Sequence, residues 1–300
     1  MTDTATRTDW LSICILALVW GSAFMFMSVA LEGYGPITVA TARTALGALV
    51  LLIAMPFAGQ GLPDPQPGLW RSIIILGLLT TAVPFLFLSW GLQHVPSSFG
   101  GLAMATIPLM VLVLAHFWGD ERMIPRRAAG VAVGFCGALI LIGPGLLELG
   151  QSTAPLAQLA CLAAAFCYSV SSVLTRKCPP IAPLTLTALT MTVGAVVLIP
   201  LMLWVEGVPD WQGIRPGGAI LMLGLMQTAA MNLLRIRVIQ SAGSVFMTLV
   251  NYQVPIWAMI YGAWLLGEDL PVRFYIALVM ILAGLALGQW RALMGLLRLR

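Results

Sequence analysis

Polar and aromatic side chains are concentrated in a few apolar segments of this 300-residue chain. The densest group is Asn251-Tyr252-Gln253, and Gln227 lies in the preceding apolar segment. A primary amide has more donors and acceptors than one helix can satisfy, and an aromatic ring adds a face for stacking or for a cation. Together such groups could hold a small polar solute reversibly, without bond-breaking chemistry.

We predict a solute-binding cavity built from aromatic, amide and hydroxyl side chains. Its candidate residues are Trp20, Ser22, Thr81, Tyr168, Ser172, Gln227, Asn251, Tyr252 and Trp257. Tyr252 is the expected stacking surface with Asn251 beside it, and Trp20 and Tyr168 would form the opposite wall. A structural role is the alternative for each, because Ser and Thr in membrane helices mostly bond to their own helix and aromatic rings are good packing groups.

The residue types that proton transport or catalysis would require are not positioned for those functions. The Asp, Glu and His residues fall in tails or near predicted helix ends, whereas proton-driven pumps use such groups within the membrane. The sequence has no phosphate-binding loop and no metal-ligand motif, and its five cysteines have no regular spacing. We therefore expect no enzyme activity, no metal and no cofactor.

The composition is that of a membrane protein. Hydrophobic residues make up 60% of the chain and charged residues 9%, against about 25% charged in soluble domains. Ten apolar runs approach the roughly 20 residues that cross a bilayer: 10–31, 36–57, 69–90, 97–118, 126–144, 155–176, 183–205, 215–235, 243–266 and 271–293. The first run has no clear cleavage site, so we interpret it as a retained helix and not as a signal peptide.

The chain matches itself at an offset of 147 residues. The offset pairs scarce residue types without a gap: Pro36/Pro183, Gly47/Gly194, Gly77/Gly224, Thr81/Thr228, Gln93/Gln240, Ser97/Ser244, Pro108/Pro255, Glu121/Glu268 and Gly137/Gly284. This pattern indicates a tandem duplication. We predict two five-helix repeats, residues 1–147 and 148–300, that together form one membrane domain.

The basic residues predict the orientation. With the N-terminus in the cytoplasm, twelve of the fifteen Lys and Arg residues fall inside and only Arg215 and Arg273 fall outside. Both termini are then cytoplasmic, and the net charge of +4 needs no nucleic-acid partner. Because each repeat has an odd number of helices, the second is inverted. The predicted fold is an all-α membrane protein of ten transmembrane helices, with the cavity lined by helices 1, 3, 4, 6, 8 and 9. Duplicated inverted halves are typical of carriers that alternate access.

Two kinds of residue inside the predicted helices could act in such a cycle. Pro108 and Pro255 occupy equivalent positions in helices 4 and 9 and are candidate hinges, although proline kinks can also serve packing alone. Arg43 is the one charge well inside a helix, about 10 Å beyond Pro36 along the axis. It could bind an anion, extend towards the surface or pair with neighbouring carbonyls. We favour a structural role because its counterpart is Thr190.

Small-residue pairs raise the question of self-association. Gly130-x-x-x-Gly134 and Gly284-x-x-x-Gly288 each place two glycines on one helix face, which permits close approach of another helix. The approaching helix could belong to a second copy, which would make a homodimer, or to the same chain.

Several of these residues resemble the motifs of a known family. Trp20-Gly21-Ser22-Ala23-Phe24 resembles its Trp-Gly-Ser/Thr-x-Phe, and Ala40 to Arg43 resembles its Ala-x-x-Arg. A further pattern occurs twice, as Leu92…Ser97-Ser98…Pro108…Glu121 and as Ile239…Ser244…Pro255…Glu268. Over essentially its whole length the chain is similar to the EamA type of the drug/metabolite transporter superfamily.

This resemblance implies a bacterial inner-membrane carrier that exports amino acids or other metabolites, closest to the aromatic-amino-acid exporters. Related triose-phosphate carriers use Lys and Arg in the cavity, and helices 6 and 9 lack them here, so a phosphorylated substrate is not expected. The nearest alternative is a multidrug efflux carrier. A passive channel is disfavoured by the duplication with its candidate hinges, and an intramembrane enzyme is disfavoured because no nucleophile–base pair or metal-ligand set is evident.

The topology can be tested by cysteine labelling. Because the basic residues place loops 32–36 and 145–154 outside, single cysteines there should react with a membrane-impermeant maleimide added to whole cells. Cysteines at 122–127 should react only after permeabilisation. The reversed pattern would contradict both the orientation and the inversion of the second repeat.

Overall fold

The computed structural model describes residues 6–118, 123–143, 152–290 and 294, apart from the side chains at 244 and 245. These residues fold into a bundle of helices, as the composition predicts. The helices are α1 Arg7–Leu31, α2 Pro36–Phe57, α3 Leu69–Gly91, α4 Ser97–Trp118, α5 Pro125–Ile142, α6 Ala154–Thr175, α7 Pro183–Val205, α8 Ile214–Gly243, α9 Val250–Leu265 and α10 Val272–Gly288.

Eight of the helices, α1 to α8, are long and apolar enough to cross a membrane. The other two, α9 and α10, have 16 and 17 residues, or about 25 Å at 1.5 Å per residue, somewhat less than a bilayer core of about 30 Å. The all-helical membrane fold is therefore confirmed, whereas ten full spans and their inverted arrangement remain a prediction.

The helix boundaries differ from the predicted runs mainly before α9. The sequence predicts a connection over 236–242, but α8 continues as helix up to Gly243, where the backbone turns at φ 85° and ψ 162°. Glycine adopts positive φ without strain, so the turn is placed there. Residue 144, residues 145–151 of the tested loop, residues 291–293 and Glu121 lie outside the described residues.

The outer surface of the bundle is apolar. Phe57, Trp204 and Trp264 are 88%, 84% and 83% exposed, which is costly in water but favourable in lipid. The largest core cluster instead lies between the two halves of the chain and joins α1, α3 and α4 to α6, α8 and α9. The halves thus share one interior.

The two glycine pairs lie against each other within the chain. A Cβ added to Gly130 would be 2.5 Å from the carbonyl oxygen of Gly284 and 2.7 Å from the amide nitrogen of Gly288. On the neighbouring turn, a Cβ on Gly284 would be 2.6 Å from the amide nitrogen of Gly134. Helices α5 and α10 are therefore in backbone contact, and this contact accounts for the small residues. The homodimer stays a prediction that these glycines no longer support.

Substitution of Gly130 tests the α5–α10 contact. Gly130→Leu should force the helices apart and lower the free energy of unfolding by about 1–3 kcal/mol, as overpacking does elsewhere. Gly218→Leu is the matched control, because a Cβ there meets open space. Thermal unfolding in mild detergent should show a lower midpoint for Gly130→Leu alone. Equal midpoints, together with a change of oligomer size in Gly130→Leu, would assign the glycine to a dimer interface.

Candidate functional site

Two helices, α3 and α8, contain π-helical segments at equivalent positions in the two halves. The segments are Leu78–Ala82 in α3 and Met222–Ala230 in α8, and the offset of 147 residues maps the first into the second. In α3 the widening precedes Pro84, which has no N–H to donate to the preceding turn. A π-helical turn leaves backbone groups loosely bonded and often marks a functional position.

Each π-helical segment holds a threonine against a glycine of the other half. A Cβ on Gly47 of α2 would lie 2.6 Å from Cγ2 of Thr228, and a Cβ on Gly194 of α7 would overlap Oγ1 of Thr81. These two contacts are equivalent under the offset. The Thr81 hydroxyl also donates to the carbonyls of Gly77 at 2.6 Å and Thr190 at 3.4 Å. Thr81 is thus fully buried at a contact between the halves, and its place in the substrate site stays a prediction.

Three of the predicted site residues meet between α1 and α8. The Trp20 indole donates from Nε1 to the carbonyl of Gln227 at 3.0 Å, and Gln227 donates from Nε2 to Oγ of Ser22 at 3.4 Å. The Gln227 side chain is buried, and its Oε1 has no hydrogen-bond donor among the described residues. Buried acceptors normally have a donor, so this oxygen is an unsatisfied polar group in the interior.

Trp257 of α9 packs against α1 next to Trp20. A Cβ on Gly21 would be 2.5 Å from the Cβ of Trp257, so α1 and α9 are in close contact there. Trp20 and Trp257 pack on one buried cluster that also contains Leu16 and Val250. The sequence prediction that these aromatic residues come together with Gln227 and Ser22 therefore has a geometric basis.

Arg43 lies at the centre of the bundle, where helices of both halves meet. Its Nε donates to Oγ1 of Thr228 at 3.0 Å, its Nη1 contacts Sδ of Met27 at 3.4 Å, and its guanidinium lies 4.1 Å from the ring centre of Phe85. Only 9% of the residue is exposed. Arg43 therefore does not extend towards the surface, which was one of the three alternatives.

Tyr168 approaches this arginine from α6. Its ring packs on the cluster that contains Phe85, the residue whose ring lies 4.1 Å from the Arg43 guanidinium. Tyr168 thus shares this cluster with Arg43, and it contributes to a different part of the interior from Trp20 and Trp257.

The remaining predicted residues lie apart from these groups. Tyr252 packs against Ala105, Leu109 and two residues of α10, with its hydroxyl buried and without a partner among the described residues. Asn251 and Ser172 are exposed on the helical bundle. Their assignment to the substrate site, and that of Tyr252, stays a prediction.

The two candidate hinges differ from each other. Helix α4 is interrupted at Ala105–Thr106, because Pro108 cannot donate to the carbonyl of Met104. In the second half the interruption lies earlier in the repeat, at Thr248–Leu249, and α9 runs as a helix from Val250 through Pro255. Both equivalent helices are thus interrupted before the proline, but at different positions.

Sequence reasoning missed two carboxylates that join the halves. Glu206 accepts from the amides of Ile37 at 3.0 Å and Thr38 at 2.7 Å, at the start of α2. Glu268 accepts from the amides of Ser97 at 2.6 Å and Ser98 at 3.1 Å, at the start of α4. A carboxylate at a helix N-terminus satisfies free N–H groups and the positive end of the helix dipole. The Glu121/Glu268 repeat pair was the signal that could have found the second.

The described residues give little support for a metal site or for a second solute site. Residues 6–118, 123–143 and 152–290 contain no group of three metal-ligating side chains. A lateral groove of about 610 Å³ lies beside α2, α3 and α6 and is lined by apolar residues such as Ile37, Trp90 and Leu156. The predicted site residues do not line it.

A buried polar interior inside an apolar helical bundle is that of a multi-pass membrane protein. The profile of the EamA-like transporter family matches the chain twice, over residues 10–143 and 155–288. The chain therefore belongs to the EamA-like transporter family, as the motifs predicted, and it is a transporter and not an enzyme.

Relatives with known names agree with this assignment. The uncharacterized transporter YoaV of Bacillus subtilis is 25% identical and covers 93% of this chain and 96% of its own. The uncharacterized inner membrane transporter YedA of Escherichia coli K12 is 25% identical over 91% and 87%. A probable terminal-alkyne amino-acid exporter of Streptantibioticus cattleyicolor is 28% identical over 66% and 64%. One crystal structure matches with a TM-score of 0.68 at 19% identity, over 96% and 99% of the chains, which shows the shared fold.

The aromatic wall can be tested by substitution. Trp20→Ala and Tyr252→Ala should each weaken apparent substrate affinity several-fold, since an aromatic contact contributes about 1 kcal/mol. Trp264→Ala, on the same helix as Tyr252 and 83% exposed, is a better control than Trp10, whose ring packs at 4.9 Å on Phe246. Transport would be measured at equal expression. Equal loss in all three variants, or no loss in any, would place the site elsewhere.

Proposed function

We propose that this protein is a secondary transporter of the bacterial inner membrane that exports amino acids, aromatic or otherwise neutral, by alternating access. The inner-membrane location is supported by the YedA relative and the substrate class by the Streptantibioticus relative named as an amino-acid exporter. Export runs down the substrate gradient as facilitated diffusion, and the protein needs no cofactor.

One observation carries this proposal: the halves contact each other through pairs of equivalent contacts. Gly77 faces Val193 as Gly224 faces Leu46, with added Cβ atoms at 2.7 Å and 2.5 Å from the facing Cβ. Each pair is the other shifted by 147 residues, with the halves exchanged. Contacts repeated in this way are expected of two inverted five-helix repeats around a two-fold axis, in which one sequence pattern serves both gates.

The cross-half polar contacts support a closed gate at one end. Glu206 and Glu268 join the halves at the end where α1 finishes, and Glu32 pairs there with Arg215 at 2.8 Å. The distribution of basic residues makes this end periplasmic, with both termini cytoplasmic. Alternating access requires these contacts to break when the periplasmic side opens. The sequence counterpart of Glu268 at the other end is Glu121, which lies outside the described residues.

The chemistry of the interior favours a zwitterion. Indole rings, an amide oxygen without a donor and a buried guanidinium offer an apolar wall, an acceptor for an ammonium and a donor for a carboxylate. Glu206 and Glu268 are engaged by backbone amides at helix starts, and Glu32 pairs with Arg215, which supports structural roles for these carboxylates in place of a proton relay.

Transport of a labelled amino-acid panel in proteoliposomes tests the proposal. Phenylalanine, tryptophan, leucine and glutamate would be followed with and without an imposed pH gradient, with ethidium as the multidrug probe. We expect the neutral amino acids to equilibrate in wild type at rates that the pH gradient does not change. We expect the transport rate of Glu268→Gln to be equally independent of the pH gradient. Concentrative uptake driven by the gradient and abolished by Glu268→Gln would overturn facilitated diffusion. Ethidium transport alone would favour multidrug efflux.

A further inference from the structure

Arg43 is a buried cation whose described partners are all neutral. The hydroxyl of Thr228, the thioether of Met27 and the ring of Phe85 contact its guanidinium. Among the described residues no carboxylate lies within ion-pair distance of it. Thr228 and Met27 engage two of its nitrogens, and a guanidinium has further N–H donors beyond those two bonds.

An uncompensated charge in such a place is unfavourable. Buried charges in proteins are normally paired, because removal from water costs more than neutral hydrogen bonds return. A hydroxyl, a sulfur atom and a ring face stabilise the cation only partly. An anion at this position would complete the coordination, and a carboxylate matches the planar guanidinium in two parallel hydrogen bonds.

The repeat shows that packing alone does not require this charge. The counterpart of the Arg43–Thr228 contact is the contact of Thr190 with Thr81, where the Thr81 hydroxyl reaches the Thr190 carbonyl at 3.4 Å. The same helix crossing is therefore built in the other half with neutral residues. A positive charge in one of two equivalent crossings breaks the symmetry at the centre of the molecule.

We propose that Arg43 binds the carboxylate of the transported solute. This inference rests on the proposed function and assigns the polarity of the substrate in the site. Gln227 precedes Thr228 on α8, and its Oε1 has no described donor. Its side chain is directed to Ser22 of α1, so in this proposal it is a separate acceptor for the solute's ammonium and not a direct neighbour of Arg43.

The test separates carboxylate recognition from transport as such. Wild type, Arg43→Met and Arg43→Lys would be compared for binding of phenylalanine, phenylalaninamide and phenylacetate by thermal shift in detergent, and for transport of the first two. Arg43→Met should fold, because an apolar side chain often replaces a buried charge without loss of stability. Thr44→Val is the matched control: Thr44 is buried on the same helix, and its hydroxyl bonds only to its own helix at Ala40.

We expect Arg43→Met to weaken binding of phenylalanine and phenylacetate about 10-fold or more, the loss of a charge-assisted bond, and to leave phenylalaninamide within about two-fold. Arg43→Lys keeps the charge but cannot form two parallel hydrogen bonds with a carboxylate. Its affinity for phenylalanine and phenylacetate should therefore lie between those of wild type and Arg43→Met. If wild type binds acid and amide equally, or if Arg43→Met weakens both alike, Arg43 is a structural cation and the inference is wrong. Wild-type transport of the amino-acid panel would still uphold the proposed function. If Arg43→Met does not fold, an unchanged acid-to-amide ratio in Arg43→Lys would be the contradicting result.

Discussion

Close approach of the two halves at small residues is the constraint on which the interior depends. Lipid gives helices no hydrophobic reason to associate, so association relies on packing and hydrogen bonds. At Gly47 and Gly194 a helix of one half meets a threonine of the other without room for a further carbon atom. Those crossings bring Thr81 and Thr228 to the middle of the bundle, and the π-helical segments that carry them position Gln227 as well.

The polar groups of the centre follow from this packing. In hydrocarbon a polar side chain is tolerated where other protein groups surround it, and the junction of the halves is the best enclosed place in the fold. Trp20 and Ser22 from α1 therefore meet Gln227 from α8, and Arg43 meets Thr228 from the same helix. Each group is completed only by residues from both halves, so any relative motion of the halves alters it.

The sequence predicted the elements well and the contacts between them only in part. Hydropathy located the helices because each is apolar and bounded by loops, and the offset located the family's two copies. It could not reveal that α8 runs on to Gly243, since the residues before that glycine are polar enough to resemble a loop. Arg43 was visible as the lone deep charge, but its contacts Met27, Phe85 and Thr228 lie on three other helices, and Thr228 is 185 residues away in the chain. Tyr252 and Asn251 were grouped by adjacency, yet successive helical residues point about 100° apart, and packing placed them in different surroundings.

The fold is symmetric at its centre, whereas two equivalent helices are interrupted at different positions. The crossings at Gly47 and Gly194 are equivalent in the two halves. The helix before Pro108 is interrupted at Ala105–Thr106, and the helix before Pro255 is interrupted earlier in the repeat, at Thr248–Leu249. Glu268 caps the start of α4, the helix that is interrupted at Ala105–Thr106. In the alternating-access cycle proposed above, the halves would exchange these two local conformations, which would move such a contact to the other end while leaving the central crossings unchanged.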